Sequence, residues 1–217
     1  MTQPVPQCPL CPRLVRFRIE NQKKYPLFFN GAVPAFGTLE AELLIVGLAP
    51  GLKGANATGR PFTGDYAGEI LYSSLLAHGL AVGDYQRHAA DGMQLLNCRI
   101  TNAVRCVPPE NKPDTAEIKQ CNSFLRDEIA AMPNLKVILS LGGISHKAVL
   151  SALGYKQSAF AFAHAARHTL QLPTKPAPVL LFNSYHCSRY NINTNRLTQA
   201  MFDAVIVEIQ SALKTSL

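Results

Sequence analysis

The sequence predicts an α/β protein in three layers, α/β/α. Its central four-stranded, mostly parallel sheet lies between helices and follows an N-terminal segment that carries cysteines. Two observations lead to this prediction. Short apolar runs without polar alternation recur along the chain, and such runs are typical of strands buried on both faces. Stretches with helical periodicity and capping signals separate these runs, as expected when helices connect parallel strands.

Each element is justified by its local pattern. The strands are expected at residues 43–49, 99–107, 136–141 and 179–183. The helices are expected at residues 67–78, 115–132, 146–153 and 195–213. Asp114 with Glu117 three residues later is a capping-box pattern, and Thr194 is the expected cap of the final helix.

Length and composition limit the class of protein. The chain has 217 residues, which suits one sizeable core, so residues 1–217 are expected to form a single domain. No apolar run approaches the length of a membrane span, and the N-terminal MTQPVPQCPLCPRL lacks the uninterrupted apolar region of a signal peptide. We therefore expect a cytoplasmic protein that does not bind membranes. The net charge of +7 modestly favours a polyanionic partner such as nucleic acid.

A candidate site is predicted at the carboxyl ends of the strands, where open α/β sheets bind ligands. The loop GLAPGLKGANATGRPFTGD follows the first strand and is neither a P-loop nor a dinucleotide fingerprint. Its glycines, Gly47 included, would let backbone N–H groups approach an anion or a flat ring. Within the loop, Phe62 could stack on such a ring or simply pack the loop onto the core.

Three polar residues near these strand ends are candidates for chemistry. Asp65 could cap the next helix, act as a general base, or do both. His186 follows the fourth strand and could be structural or catalytic. Asn102 in the second strand must find partners, either neighbouring backbone or a ligand that offers both donor and acceptor groups.

Four of the six cysteines form a candidate metal set. Cys8 and Cys11 form a CxxC pair, Cys106 is expected to end the second strand, and Cys121 lies in the following helix. Four thiols suit a structural zinc or an iron–sulfur cluster, and the absence of a second CxxC favours the cluster. Incidental buried thiols are the alternative. Cys98 is expected in the core, and Cys187 is expected to be a passive small residue.

Four motifs in order resemble the iron–sulfur branch of the uracil-DNA glycosylase superfamily. They are CPLCPRLVRFR, GLAPGLKGANATGRPFTGD followed by AG, TNAVRCVPPENKPDTAEIKQCNSFL, and HCSRYNINTNRLT. The resemblance covers residues 8 to about 200. The segment after the first strand lacks the acid of several branches, and Asp65 follows the GRPFTG stretch instead, which is most similar to the type-five group. A type-four enzyme is the alternative within the family.

The resemblance implies removal of uracil or other deaminated bases from DNA, and it implies a role for each matching residue. The implied ligands of a [4Fe-4S] cluster are Cys8, Cys11, Cys106 and Cys121. The implied catalytic residues are Asp65 and His186. The implied base-binding residues are Gly47, Ala49, Phe62 and Asn102. The residues implied to contact DNA are Arg189, Tyr190 and Asn191.

One position departs from the pattern, and two other classes of protein stay open. Cys187 stands where the family is expected to have Pro or Val after the histidine, so the loop that enters DNA could have a different shape. The other classes are a non-catalytic, metal-stabilised nucleic-acid-binding module and a flavodoxin-like enzyme that binds a nucleotide. A monomer is expected.

Overall fold

The computed structural model describes residues 3–215, so Met1, Thr2, Ser216 and Leu217, at the ends of the predicted 1–217 domain, lie outside it. The strands are β1 Leu43–Gly47, β2 Ala81–Val82, β3 Gln94–Leu95, β4 Cys98–Asn102, β5 Val137–Leu141, β6 Arg167–Leu170 and β7 Val179–Ser184. Five of them form the central sheet in the order β4-β1-β5-β7-β6, and the short strands β2 and β3 form a separate pair.

Helices cover both faces of this sheet. They are α1 Pro12–Lys24, α2 Ala55–Thr58, α3 Tyr66–Ala77, α4 Thr115–Ala131, α5 Gly143–Ala152, α6 Arg189–Asn193 and α7 Gln199–Thr215. Alternate residues of β1 enter two different cores: Leu43 and Ile45 pack with α3 and α7, whereas Leu44 and Val46 pack with α4 and α5. The three-layer α/β prediction is confirmed.

The predicted number of strands was too small. The sheet has five strands, because β6 pairs antiparallel with β7 at one edge. Its sequence RHTL buries only Leu170 fully, so it lacks the apolar run that identified the other strands. Pairs β4–β1, β1–β5 and β5–β7 are parallel, so the sheet is mostly parallel as expected.

Two predicted boundaries were also wrong. Strand β4 ends at Asn102 rather than at residue 107, so Cys106 lies in the loop beyond the strand. Thr194 does not cap the final helix; it ends the short helix α6, which Ser188 caps, and α7 begins at Gln199. The segment after residue 186 therefore contains an additional helical turn at the sheet edge that carries the candidate site.

The predicted capping box of α4 is confirmed. The Glu117 carboxylate accepts a hydrogen bond from the Asp114 backbone N–H at 2.7 Å, which completes the predicted capping box of α4. At the β4 edge, Phe36 forms an antiparallel bridge with Ile100 through two backbone hydrogen bonds of 2.8 and 2.9 Å. Within residues 3–215, no helix has the length and apolarity needed to cross a membrane.

Candidate active site

A cavity of about 680 Å³ opens where β1, β4 and β7 end. The register of the sheet explains its position, because Gly47 of β1 pairs with Asn102 of β4 and the two strands finish level with each other. The residues predicted for the site that line this cavity are Ala49, Phe62, Asp65, Asn102, His186 and Arg189. The position predicted from the carboxyl ends of the strands and the residues predicted from the motifs therefore coincide in this cavity.

Asp65 is half-buried at the start of α3. Its Oδ1 accepts a hydrogen bond from the Gly68 N–H at 3.2 Å, so the carboxylate caps the helix. Its Oδ2 lies over the glycine-rich loop: a Cβ built on Gly54 would be 2.3 Å from this oxygen, and one on Gly51 would be 3.2 Å away. Burial raises the pKa of Asp65, and hydrogen bonds from the Gly68 and Ala67 backbone oppose that shift.

Phe62 is held in an unusual backbone conformation. Its φ is +53°, in the left-handed region that bulky residues rarely adopt, and its side chain is only 6% exposed. Two glycines make room for it. A Cβ on Gly47 would lie 2.6 Å from the ring, and a Cβ on Gly68 would lie 1.7 Å from the Phe62 carbonyl oxygen. Its ring centroid is 6.0 Å from that of His186.

Asn102 and His186 present polar groups without protein partners. Asn102 is 3% exposed, yet within the described part of the chain its side-chain amide has no hydrogen-bond partner. The imidazole of His186 likewise makes no hydrogen bond to any residue from 3 to 215, and burial lowers its pKa. The polar atoms of both residues are accessible from the cavity that they line, so a polar ligand in that cavity could pair with them.

The three residues predicted to contact DNA all lie in α6, beside the cavity mouth. Arg189 lines the cavity and lies over the Tyr66 ring at 5.2 Å. Tyr190 does not line the cavity and is 71% exposed. The Asn191 amide donates to the His186 carbonyl oxygen at 2.8 Å, so this side chain ties α6 to the loop after β7.

Sequence reasoning missed several residues around this site. Lys53 lines the cavity from within the glycine-rich loop, where its position in the motif could have identified it. Tyr85 and Asp91 support the loop from the connection between β2 and β3. That connection carries no periodic pattern, so nothing in the sequence related it to the site.

The four candidate cysteine ligands also come together. Cys8, Cys11, Cys106 and Cys121 line one small, separate cavity. Burial, with the neighbouring thiols contributing, raises the pKa of Cys11 to about 11 and that of Cys106 to about 12. Although these four cysteines line the same cavity, residues 3–215 contain no group of three or more His, Cys, Asp or Glu side chains placed so that they could hold a metal ion.

The other two cysteines behave as the sequence predicted. Cys98 lies fully buried in the core between the sheet and α3. Cys187 is also fully buried, and burial raises the pKa of its thiol to about 12, so it is a passive residue rather than a reactive one.

Comparison with known proteins identifies the family. The family model described as the uracil DNA glycosylase superfamily matches residues 34–210. A type-5 uracil-DNA glycosylase of Thermus thermophilus is 40% identical over 211 residues, 95% of this chain and 94% of the relative. One of Pyrobaculum aerophilum is 36% identical over 195 residues, 88% of this chain and 82% of the relative.

Relatives named type-4 match less of the chain. The type-4 uracil-DNA glycosylase of Pyrobaculum aerophilum is 35% identical over 139 residues, 63% of each chain. Similarity therefore favours the type-five group over the type-four alternative, in agreement with the acid-free segment after β1. The family model matches most of the chain, and the strand order and the cavity at the strand ends are consistent with that match. This chain therefore belongs to the uracil-DNA glycosylase superfamily.

Proposed function

We propose that this chain is a DNA glycosylase that releases uracil, or another deaminated base, by hydrolysing the bond between base and deoxyribose. Family membership supports the reaction class. The observation that carries the proposal is the cavity lining: an aromatic ring, an unpaired amide, an unpaired imidazole and one carboxylate surround the same space. Among the described lining residues, Asp65 is the only acid.

Base recognition is assigned to Phe62 and Asn102. An enzyme that acts on a base in a duplex must first extrude it into a pocket. The buried ring of Phe62 offers a flat surface for stacking, and the Asn102 amide offers a donor and an acceptor. Uracil presents both kinds of group along its edge, so one amide can pair with it twice. The amide has no hydrogen-bond partner in the described part of the chain, which supports this role.

Stabilisation of the leaving base is assigned to His186 and to backbone N–H groups near Ala49. Negative charge grows on the base as the glycosidic bond breaks, and preorganised donors lower the energy of that state. Because burial lowers its pKa, His186 is neutral near pH 7 and can donate one N–H. A neutral donor avoids the cost of placing a full positive charge in a buried pocket.

Asp65 is assigned to the water and the sugar. Its carboxylate can orient a water molecule, take its proton as the new bond to C1′ forms, and stabilise positive charge on the sugar. A raised pKa makes a carboxylate a stronger base. The capping role fixes the position of the side chain, so the structural and catalytic interpretations of Asp65 are compatible.

DNA binding is assigned to the cavity rim. Arg189 and Lys53 are the cations that line the described cavity, and both suit backbone phosphates. Tyr190 has the exposure needed to enter the space left by the extruded nucleotide. Asn191 would act from the same helix.

We further propose that Cys8, Cys11, Cys106 and Cys121 hold a [4Fe-4S] cluster. The surroundings fit an anionic group, because Arg105 lines the same cavity and is 1% exposed, yet its Nε and Nη1 have no acceptor among the described residues. The buried Nε of Arg18 is also unpaired, and its Nη1 is 3.9 Å from the Cys106 sulfur. Thiolate sulfurs of a cluster can accept such bonds. The cluster would tie α1 to α4 and to the loop after β4.

A base-release assay tests the enzyme proposal. Purified protein is incubated with a duplex containing one uracil, and free base is measured by chromatography, with the matching thymine duplex as control. We expect free uracil from the first duplex only. A panel of deaminated bases then measures the breadth of specificity. DNA binding without base release would instead support a non-catalytic binding module.

Metal analysis tests the cluster proposal separately. Protein purified without oxygen should be brown and contain about four iron atoms per chain. A Cys106→Ser variant should lose iron, whereas Cys98→Ser, which changes a core thiol outside the set, should keep it. Stoichiometric zinc in colourless protein would contradict the proposal.

A further inference from the structure

We infer that Tyr85 is a positioning residue, which holds the segment Phe62–Asp65 in its active geometry through the hydroxyl group on its ring. This inference rests on the proposed function, because it concerns how the base-stacking ring and the carboxylate are kept in place. Tyr85 belongs to the connection between β2 and β3, outside every motif that identified the site.

The contacts of the Tyr85 hydroxyl carry the inference. The hydroxyl donates to the Phe62 carbonyl oxygen at 3.2 Å and accepts from the Gly64 N–H at 3.2 Å. It thus bridges the two peptide groups on either side of Thr63. No neighbouring backbone supplies these bonds, since the segment belongs to neither a helix nor a strand.

The bridge is needed because Phe62 has an unfavourable conformation. A bulky residue with positive φ is strained and persists only where its surroundings hold it. Tyr85 fixes the carbonyl of this residue, and the neighbouring ring of Tyr72, 4.7 Å away, fixes Tyr85. The Tyr72 hydroxyl donates in turn to the Pro61 carbonyl oxygen at 2.7 Å. Consecutive carbonyls of the loop are therefore held by two tyrosines whose rings are in contact.

The same bridge controls Asp65. Gly64 immediately precedes Asp65, so the hydrogen bond from its N–H to Tyr85 sets where the chain enters α3. A Cβ on Gly68 would lie 2.5 Å from the Tyr85 hydroxyl, which places that hydroxyl against the helix turn that Asp65 caps. Without the Tyr85 hydroxyl, both the Phe62 ring and the Asp65 carboxylate could shift from their positions. Small displacements of reacting groups reduce rates strongly.

Single-turnover kinetics of Tyr85→Phe provide the first test. The variant keeps the ring and removes only the hydroxyl, so we expect base release to slow about tenfold with unchanged affinity for uracil-containing DNA. Tyr155→Phe is the matched control, because it also removes a hydroxyl that donates to a backbone carbonyl, that of Gln171 at 2.6 Å, away from the cavity. A wild-type rate in Tyr85→Phe would overturn the inference.

A double-mutant cycle separates positioning from a general loss of stability. If Tyr85 acts partly through Phe62, adding Tyr85→Phe to Phe62→Leu should slow base release clearly less than tenfold, because only the contribution of Asp65 remains to be lost. If the two changes multiply in full instead, Tyr85 does not act through the ring and the inference fails. Phe62→Leu is preferred to Phe62→Ala because it keeps the bulk of the buried side chain.

Hydrogen exchange provides a readout that needs no catalysis. In protein without DNA, the Gly64 amide should exchange faster in Tyr85→Phe than in wild type, and at an unchanged rate in Tyr155→Phe. Equal exchange in Tyr85→Phe and wild type would show that the hydroxyl does not hold the segment. If wild type released no base, the proposed function would fail, while this exchange measurement would still decide the positioning.

Discussion

Two carboxylates on either side of the GRPFTG loop lie in opposite environments. Asp65 faces the cavity, its carboxylate accepts from backbone N–H groups at the start of α3, and burial raises its pKa. Asp91 lies behind the loop and accepts two bonds from Arg60, at 2.6 and 2.7 Å, and two more from the N–H groups of Gln86 and Met93. The Arg60 guanidinium holds the pKa of Asp91 well below its usual range.

This difference distinguishes the cavity wall, which includes Asn102 and His186, from the support behind the loop, which includes Arg60 and Asp91. On the wall, Asn102 and His186 have polar atoms without partners among residues 3–215, so these atoms are available to a substrate. In the support, Arg60 pairs with Asp91 and also donates to Thr63 at 2.8 Å. Unpaired polar groups cost stability, whereas paired groups fix a conformation. At this site, the groups behind the loop are therefore paired with one another, whereas those on the cavity wall can pair with a ligand.

The largest effect is expected for Asp65→Asn. Asparagine caps helices about as well as aspartate, so the variant keeps the cap and loses the base. Base release should fall about 10²- to 10⁴-fold, measured in single turnover. The melting temperature should not fall, because the neutral amide of asparagine avoids the desolvation cost of a buried, charged carboxylate. Full activity in this variant would remove Asp65 from the mechanism.

The next effect concerns the support. Asp91→Asn leaves the 5%-exposed Arg60 charge without its partner. We expect a loss of about 3–5 kcal/mol in the free energy of unfolding, measured with denaturant. Asp84→Asn, in the same connection but exposed, is the control and should change little. An equally small change in Asp91→Asn would show that the pair does not support the loop.

Asn102→Ala should have an intermediate effect on specificity. Without the amide, uracil loses a donor and an acceptor, so its release should slow by about ten- to a hundredfold. The ratio of rates between uracil and other deaminated bases should shrink at the same time. An unchanged ratio would contradict the edge-reading role, even if all rates fell.

The smallest expected effects are those of pH. The rate should rise as Asp65 loses its proton, and since its pKa is raised, this rise should lie above the ordinary aspartate value of about 4. The residual activity of Asp65→Asn should lack that rise.

The free energy of unfolding should depend on pH through Asp91 instead. The pKa of Asp91 is lowered in the folded protein, so its carboxylate stabilises the fold above the ordinary carboxyl pKa. This stabilisation is lost as the pH falls below the ordinary carboxyl pKa.

The sequence predicted helices and strands best where a single type of interaction determines the local structure. Apolar runs such as Leu43–Gly47 identified buried parallel strands, and a capping box identified α4. The edge strand β6 was missed because only one of its faces is partly covered. The cap at Thr194 was wrong because Ser188 makes a competing cap earlier in the same segment.

For the site, motifs located residues within one continuous loop but not their supports. Phe62 and Asp65 could be found because they belong to that loop. Tyr85 and Asp91 lie twenty or more positions further along the chain, in a connection without periodicity. Their importance arises from tertiary hydrogen bonds alone, and a single sequence does not record which distant side chains meet.

The two edges of the central sheet bear on how the protein behaves at high concentration. Exposed strand edges act as templates for pairing between molecules and lead to aggregation. Here the bridge from Phe36 occupies part of the β4 edge, and the opposite edge strand carries Arg167, His168 and Thr169 instead of an apolar ladder. Extension of the sheet from one molecule to the next is thereby disfavoured at both edges.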